Sequence, residues 1–435
     1  MEKLITDLLA DAFKRLGEIG VPVAWSIGDI DVMPGINQKS YTQISTPNLQ
    51  RVLYKTEEFP PFVAFANALR QQEAYAALFA ETPADNEKAL LDPIYIAHEV
   101  LRSHMEAHPL RAISPELTTQ ISANLADCIN RKVFMVRGWS PLAGFNSTQP
   151  EIDCGNGMII RRYSEVDAYR IGKVFEDGGP FDMFNIWPYA LEWNKEHSFV
   201  GEKPDTGSWQ NKIYPTVRAL RVLAPGKVAI PFTKIIRAGP GRLSSHGGGS
   251  SPWSTPFISE TNYNLAEADY SALRDLIEEV ARTDLPNPVR IALDRVYTAV
   301  ERSGLEDEFI DHIVALEAMY GDNLGGLPGG LSHKIGVRLA MFLYSTAAQR
   351  HTAFRQMLAA LSARGGIVHG SMTIANLKPK PRAAVEWAGD AARASVRKAL
   401  LEDVKFEKDY FEHLIFSAKI PAPRTKKAAK PKVAA

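Results

Sequence analysis

Cysteine is nearly absent. Cys128 and Cys154 are the only two in 435 residues. Two thiols cannot build a disulfide framework or a cysteine-rich zinc module, and free thiols in a long chain fit a reducing cytoplasm. Long apolar runs are missing too. The longest candidate, residues 335–344, falls well short of the roughly 20 residues of a membrane helix and carries Arg338. The N-terminus, MEKLITD, has acids where a secretory leader has its basic region. Net charge is also lacking: 50 Lys and Arg balance 50 Asp and Glu. That argues against a wholesale polycationic nucleic-acid binder while leaving room for a local basic groove. A soluble cytoplasmic protein with no membrane contact is expected. At 45% hydrophobic and 23% charged, the chain can bury two or three sizeable cores without a metal staple.

Three regions follow from the patterning, giving a multidomain α+β protein. Residues 1–130 read as mostly helical. Leu4, Ile5, Leu8, Leu9, Phe13 and Leu16 recur at helical spacing. Pro60 and Pro61 precede an Ala-rich helical stretch to about Glu81, and Pro93 opens a helix through Met105. Ser114-Pro115-Glu116 combines an N-cap, an N1 proline and an early acid. Residues 21–58 are irregular or strand-like. Residues 131–260 read as a mixed α/β or β-rich domain. Strands are expected at 133–136, 158–162, 228–232 and 234–237, and a helix from Ser164. Residues 239–252 (GPGRLSSHGGGSSP) read as a flexible loop. Arg242 and His246 suggest phosphate binding, but the lysine-bearing glycine pattern of a P-loop is not there.

From Tyr263 onward everything reads helical. A helix is expected over 265–283. Asn287 caps a second, whose face is Val289, Ala292, Leu293, Val296, Tyr297 and Val300. Ser303 and Glu306 fit a capping box for a third, with Phe309, Ile313, Leu316 and Tyr320 inward. Ser332 caps a nearly all-apolar fourth, and further helices start near Gln349 and Ala383. Residues 419–435 carry six Lys and Arg, no acid and no large aromatic, and are expected to be a disordered basic tail.

Several catalytic signatures are missing. His98 and His104 lie six residues apart, about 240° around a helix, so they do not make the paired imidazoles of a zinc helix and read as surface histidines. No serine-hydrolase elbow, kinase set, dinucleotide fingerprint or Cys-x-x-Cys pair is present. The informative segment is LSARGGIVHG, residues 361–370, with Arg364 and His369 five positions apart. A histidine near neutral pKa can move a proton to or from a ribose 2′-OH or a leaving 5′-oxygen, and an arginine can hold the phosphate, with no metal or cofactor required. A capped helix with a surface arginine and a locally bonded histidine would show the same spacing.

Residues 263–371 resemble the HEPN domain of the ApeA-like type. The resemblance rests on Tyr263-Asn264-Leu265 leading into a helix, on IVALEA at 313–318, on KIGVRLA at 334–340 and on IVHG at 367–370. The upstream stretch CGNGMIIRR, residues 154–162, resembles the segment that precedes HEPN in such proteins. The resemblance implies a helical bundle over 263–418 that forms homodimers. In HEPN ribonucleases the Arg-x4-6-His motifs of two protomers make one metal-independent site acting on RNA, often in antiviral defence, abortive infection or toxin systems. It implies Arg364 and His369 as the catalytic pair, with Glu317 and Arg338 in support, and residues 1–260 as sensor of a phage-derived or regulatory trigger. One departure stands out: Gly365 occupies the position after the arginine, where such motifs commonly carry a polar residue. An inert HEPN protein that only dimerises or binds RNA is the alternative, and a structural helical protein with a coincidental pair is a third.

Overall fold

The structure is a computed structural model. It describes residues 1–18, 27–33, 36–41, 59–83, 86–107, 113–162, 188–200, 210–241, 250–252, 263–321, 330–376, 381–404, 406 and 410–416. The helix expected from Ser164, the loop residues Arg242 and His246, and the basic tail lie outside these. The helices are α1 (Glu2–Glu18), α2 (Pro60–Gln71), α3 (Glu73–Glu81), α4 (Pro93–Ala107), α5 (Pro115–Arg131), α6 (Gln210–Leu223), α7 (Tyr270–Val280), α8 (Asn287–Ala299), α9 (Leu305–Tyr320), α10 (Leu331–Leu343), α11 (Ala347–Val368), α12 (Pro381–Leu401) and α13 (Tyr410–Phe416). The strands are β1 (Ile27–Met33), β2 (Ile36–Tyr41), β3 (Val133–Pro141), β4 (Phe145–Ser147), β5 (Glu151–Asp153), β6 (Met158–Arg162), β7 (Tyr189–Ser198), β8 (Phe232–Ala238), β9 (Ser250–Pro252) and β10 (Tyr263–Leu265). The protein is thus mixed α+β, and among the described residues every element after Leu265 is helical.

The chain divides into two compact units, neither of them continuous in sequence. The first comprises residues 1–141, 157–209 and 230–253; the second comprises 142–156, 210–229 and 254–435. Residues 142–156 and 210–229, which the sequence reading places in the middle region, therefore belong to the unit that contains the C-terminal helices.

In the first unit, strands neighbour one another in the order β6–β7–β3–β8–β9, every pair antiparallel. Glu192 on β7 is buried and bonds Arg137 on β3 and Arg161 on β6, the latter through two hydrogen bonds of 3.1 and 2.7 Å. One carboxylate thereby ties three strands at a position where an unpaired charge would be costly. The helices of this unit bury Ile5, Leu8, Phe65, Leu69, Ile121 and Leu125. The α5 start is as expected, with the Ser114 hydroxyl accepting from the Leu117 amide at 3.3 Å. The histidines of α4 correct the surface reading. His104 is fully buried, with its Nε2 accepting from the Ser114 amide at 2.9 Å, and His98 is half-buried. Tertiary packing of α4 against Phe13, whose ring lies 5.5 Å from that of His104, overrides the polar pattern of the segment.

In the second unit α8 and α9 form an antiparallel pair with α12 against them, and α10 and α11 form a helical hairpin. The inward faces expected for α8 and α9 are buried, with Phe309, Ile313, Leu316 and Tyr320 at 0% exposure. The last carbonyls of α6 have no partners within that helix. Tyr263 Oη donates to Leu220 O at 2.7 Å and Arg397 Nη1 donates to Leu223 O at 2.7 Å, which satisfies two of them. Arg221 is buried beneath the Tyr297 ring, 4.1 Å from its centroid. It donates to the carbonyls of Val228 and Tyr297 and to Glu301. Asp311, also buried, takes Arg295 Nη1 at 2.9 Å and Arg302 Nε at 2.7 Å.

Several boundaries differ from expectation. Asn287 is the first residue of α8 and Pro286, not Asn287, precedes it. The strand expected at 228–232 is reduced to a single bridge of Ala229 to Ala143 before β8 starts at Phe232. Residues 263–265 are not the start of a helix but strand β10, parallel to β4, and α7 begins only at Tyr270. The α9 N-terminus is at Gly304 without a side-chain cap, so the Ser303 capping box does not form. Gly330, not Ser332, precedes α10.

Candidate functional site

Helix α11 carries the motif. Its N-terminus is capped by Thr346, whose hydroxyl accepts from the Gln349 amide at 3.3 Å. Only Ala353, Met357, Ala360 and Ala363 are buried along it, a stripe of small and thin side chains that lets neighbouring helices approach closely. The helix stops at a Schellman turn. Ser371 N donates to Gly366 O at 2.9 Å and Gly370 N donates to Ile367 O at 3.0 Å. Gly370 sits at φ +72°, a left-handed position that glycine adopts without a Cβ penalty. His369 is the last residue before that turn, with φ −86° and ψ 3°, and its side chain is exposed.

Arg364 lies further back on α11 and faces α9. Its Nη2 is 3.8 Å from Glu317 Oε2, and both side chains are about a third exposed (34% and 29%). Burial pushes the Glu317 carboxyl above its ordinary value, and the positive charge of Arg364 works against that rise. Arg364 Nε is buried and has no hydrogen-bond partner among the described residues. The arginine is thus oriented by one carboxylate at ion-pair distance and retains hydrogen-bonding capacity.

Arg364 and His369 leave one helix in different directions. Five residues at 100° each place them about 140° apart around the axis and about 7.5 Å apart along it. The two side chains therefore leave α11 on different faces. Glu317 is brought to Arg364 by the packing of α9 against α11. Arg338 does a different job. It is buried on α10, donates from Nη1 to Tyr320 O at 2.8 Å, and lies 5.3 Å from the Phe411 ring centroid. That bond satisfies one of the C-terminal carbonyls of α9 three residues beyond Glu317. Tyr320 Oη donates to Ser395 Oγ at 2.7 Å, and burial pushes its phenol well above the usual range. Arg338 therefore holds the C-terminal end of α9, the helix on which Glu317 stands.

Gly365 and Gly366 are both helical. A Cβ at Gly365 would meet nothing within 4 Å, so the glycine is not demanded by packing; one at Gly366 would come within 3.0 Å of Met372 Cβ. Among the described residues no three His, Cys, Asp or Glu side chains come together as a metal site would require, and no helix is long and apolar enough to cross a membrane. Comparison with protein-family models, with curated proteins and with solved structures returns no match.

Proposed function

We propose that the protein is a metal-independent endoribonuclease of the HEPN type, working in the cytoplasm as a twofold homodimer in a defence or toxin role, with residues 1–260 restraining it until a trigger arrives. The observation that carries this reading is the exposed imidazole of His369, held at the glycine-terminated end of α11 one and a half turns beyond an arginine oriented by Glu317. In the proposed reaction the ribose 2′-oxygen attacks the adjacent phosphorus and the bond from phosphorus to the 5′-oxygen breaks. The 2′-OH proton leaves to a base and the 5′-oxygen gains one from an acid. His369 serves as one of these two groups, and Arg364 of the other protomer grips the phosphate oxygens as their negative charge grows. A 2′,3′-cyclic phosphate and a 5′-hydroxyl are the products. A twofold axis supplies the motif twice through one self-complementary patch.

A second reading is favoured by one feature. Arg364 already has a carboxylate partner, and Gly365 offers no polar side chain beside it, which fits an inert module that dimerises or binds RNA. The deciding experiment is cleavage of RNA by the purified full-length protein with and without EDTA. The nuclease reading expects cleavage that survives EDTA, cyclic-phosphate ends, loss of activity in His369→Ala, and severe loss in Arg364→Lys, because an ammonium cannot reproduce the planar fork of a guanidinium. If His369→Ala cuts as fast as the wild type, the catalytic assignment is wrong and the inert module stands.

A further inference from the structure

Residues 323–385 contain no Asp or Glu. With 50 acids over 435 residues, a stretch of that length would carry about seven. The same stretch holds eight Lys and Arg and three of the ten histidines, so the rest of this neutral chain bears all the acids. The segment is not a tail. It spans the α10–α11 hairpin, where charge is displayed on rigid helices.

The side chains that reach solvent there fall on a common side. His351, Arg355, Ser362 and His369 are all exposed, and helical spacing puts them within about 40° of one another around α11. His351 and His369 are five full turns apart, so the line they mark is about 27 Å long. Between Arg355 and His369 the helix surface is small: Ala359 and Ser362 are exposed, and Gly365 and Gly366 follow. His333, at the start of α10, packs edge-on against Phe354 of α11 at 5.2 Å between centroids, and its neighbour Lys334 is half-buried on the same turn of α10. Neither Lys334 nor Arg355 has a carboxylate partner among the described residues, whereas exposed arginines elsewhere in the second unit are commonly paired, as Arg274 is with Asp153 and Arg382 with Glu386.

From this we infer that the exposed face of α10–α11 is a surface that binds the phosphate backbone of single-stranded RNA, laid along α11 and running to His369. Two cations without a carboxylate partner, Arg355 and Lys334, with the hydrogen-bonding imidazoles of His351 and His369 on the same hairpin, suit a chain of phosphates, and the small residues between them let a sugar-phosphate backbone come close. Along the α11 line from His351 to His369 the exposed positions are His351, Arg355, Ser362 and His369, with no Trp, Phe or Leu among them, unlike the apolar face of an interfacial membrane helix. The exposed large apolar side chains of the hairpin, Leu331 and Val368, lie off that line. The inference rests on RNA as the partner in the nuclease reading, and not on catalysis. It adds where the strand lies and why its 3′ and 5′ course would follow one helix.

Binding of a fluorescently labelled 2′-O-methyl RNA to the full-length protein tests it, because that probe lacks the 2′-OH and cannot be cut by the proposed reaction. Affinity is measured across salt concentrations for the wild type, Lys334→Glu/Arg355→Glu, the milder Arg355→Gln, and Arg290→Glu, an exposed arginine of α8 outside the acid-free stretch. Removing one cation that neutralises a phosphate flattens the slope of log K against log salt by about 0.7. The double variant, which removes two cations and adds two repelling carboxylates, is expected to lose at least about 1.4 from the slope and at least about 25-fold in affinity at 0.1 M salt. Arg355→Gln should lose about 5-fold, and Arg290→Glu should bind as the wild type does. Circular dichroism confirms that the variants remain helical. No saturable binding by the wild type, equal binding by the double variant, or an equal loss in Arg290→Glu would each overturn the inference. So would equally tight binding to polyglutamate, which would assign the face to acidic polypeptides. Absence of cleavage with binding intact would instead strike only the nuclease reading.

Discussion

Replacing Gly336 and Gly365 by alanine, one at a time, sets helix propensity against packing on the same hairpin. Alanine is favoured over glycine by about 0.8–1.0 kcal/mol in a helix interior, because glycine has more backbone freedom to lose. At Gly365 a Cβ would meet nothing within 4 Å, so that gain should appear nearly whole. At Gly336 the same atom would lie 2.9 Å from Phe354 Cδ2, 3.2 Å from Cε2 and 3.5 Å from the Phe354 carbonyl oxygen. The Phe354 ring is itself packed by His333, so it cannot simply swing away. Overpacking of this kind costs about 1–3 kcal/mol. Subtracting the propensity gain leaves a net loss of about 1 kcal/mol at Gly336. The two variants should therefore differ by about 2 kcal/mol. For a domain of this size that is a separation of about 4–8 °C in Tm, with Gly365→Ala above the wild type and Gly336→Ala below it. Thermal unfolding followed by far-ultraviolet circular dichroism reads both. If the two substitutions raise Tm equally, α10 does not cross α11 at Gly336, and the basic face built on that crossing loses its frame.

Asp311→Ala should destabilise the protein by about 2 kcal/mol in denaturant titration. That is less than the roughly 3–5 kcal/mol of a fully buried pair, because Arg295 and Arg302 are 45% and 44% exposed and recover water; a loss under about 0.5 kcal/mol would contradict the clamp. Acid should destabilise the second unit through His312. Burial first, then the charge of Arg393, holds its imidazole below the ordinary 6.5, while Glu308 and Asp311 pull the other way. The unfolded chain takes up a proton that the folded one refuses, so stability falls as pH drops below about 6.5. Denaturation midpoints at pH 7.5 and 5.5 should show this decline, and it should be shallower in His312→Gln.

Elements whose signals are local were legible in the sequence. Ser114 with Pro115 marks the start of α5, the MIIRR stretch at 158–162 after the CGNG turn is β6, and the 3.6-residue periodicity of Phe309, Ile313, Leu316 and Tyr320 predicts the buried face of α9. What depends on distant partners was not. Tyr263-Asn264-Leu265 becomes a strand because Phe145–Ser147 lies alongside it, and no pattern within the three residues announces that. His104 is buried through its packing with Phe13 and its bond to Ser114, and its own segment looks polar. The site divides in the same way. Arg364 and His369 were marked by spacing and residue type, but their divergence around α11 follows only from the helix running unbroken through Gly365 and Gly366. The approach of Glu317 to Arg364 and the inward turn of Arg338 to the α9 carbonyl need the packing of three helices, which spacing alone does not contain.

The interleaving of the two units has a consequence for biosynthesis. Strand β4 leaves the ribosome 118 residues ahead of β10, the partner it must pair with. At about 5–20 residues per second that is a wait of about 6–24 s. Helix α6 likewise waits for Tyr297 and Arg397 to cover Arg221 and close its last carbonyl. The first unit has all of its pieces once residue 253 is made, while the second lacks most of its chain. Any activity seated on α11 is therefore acquired late by the growing polypeptide, after every residue of the first unit has been made.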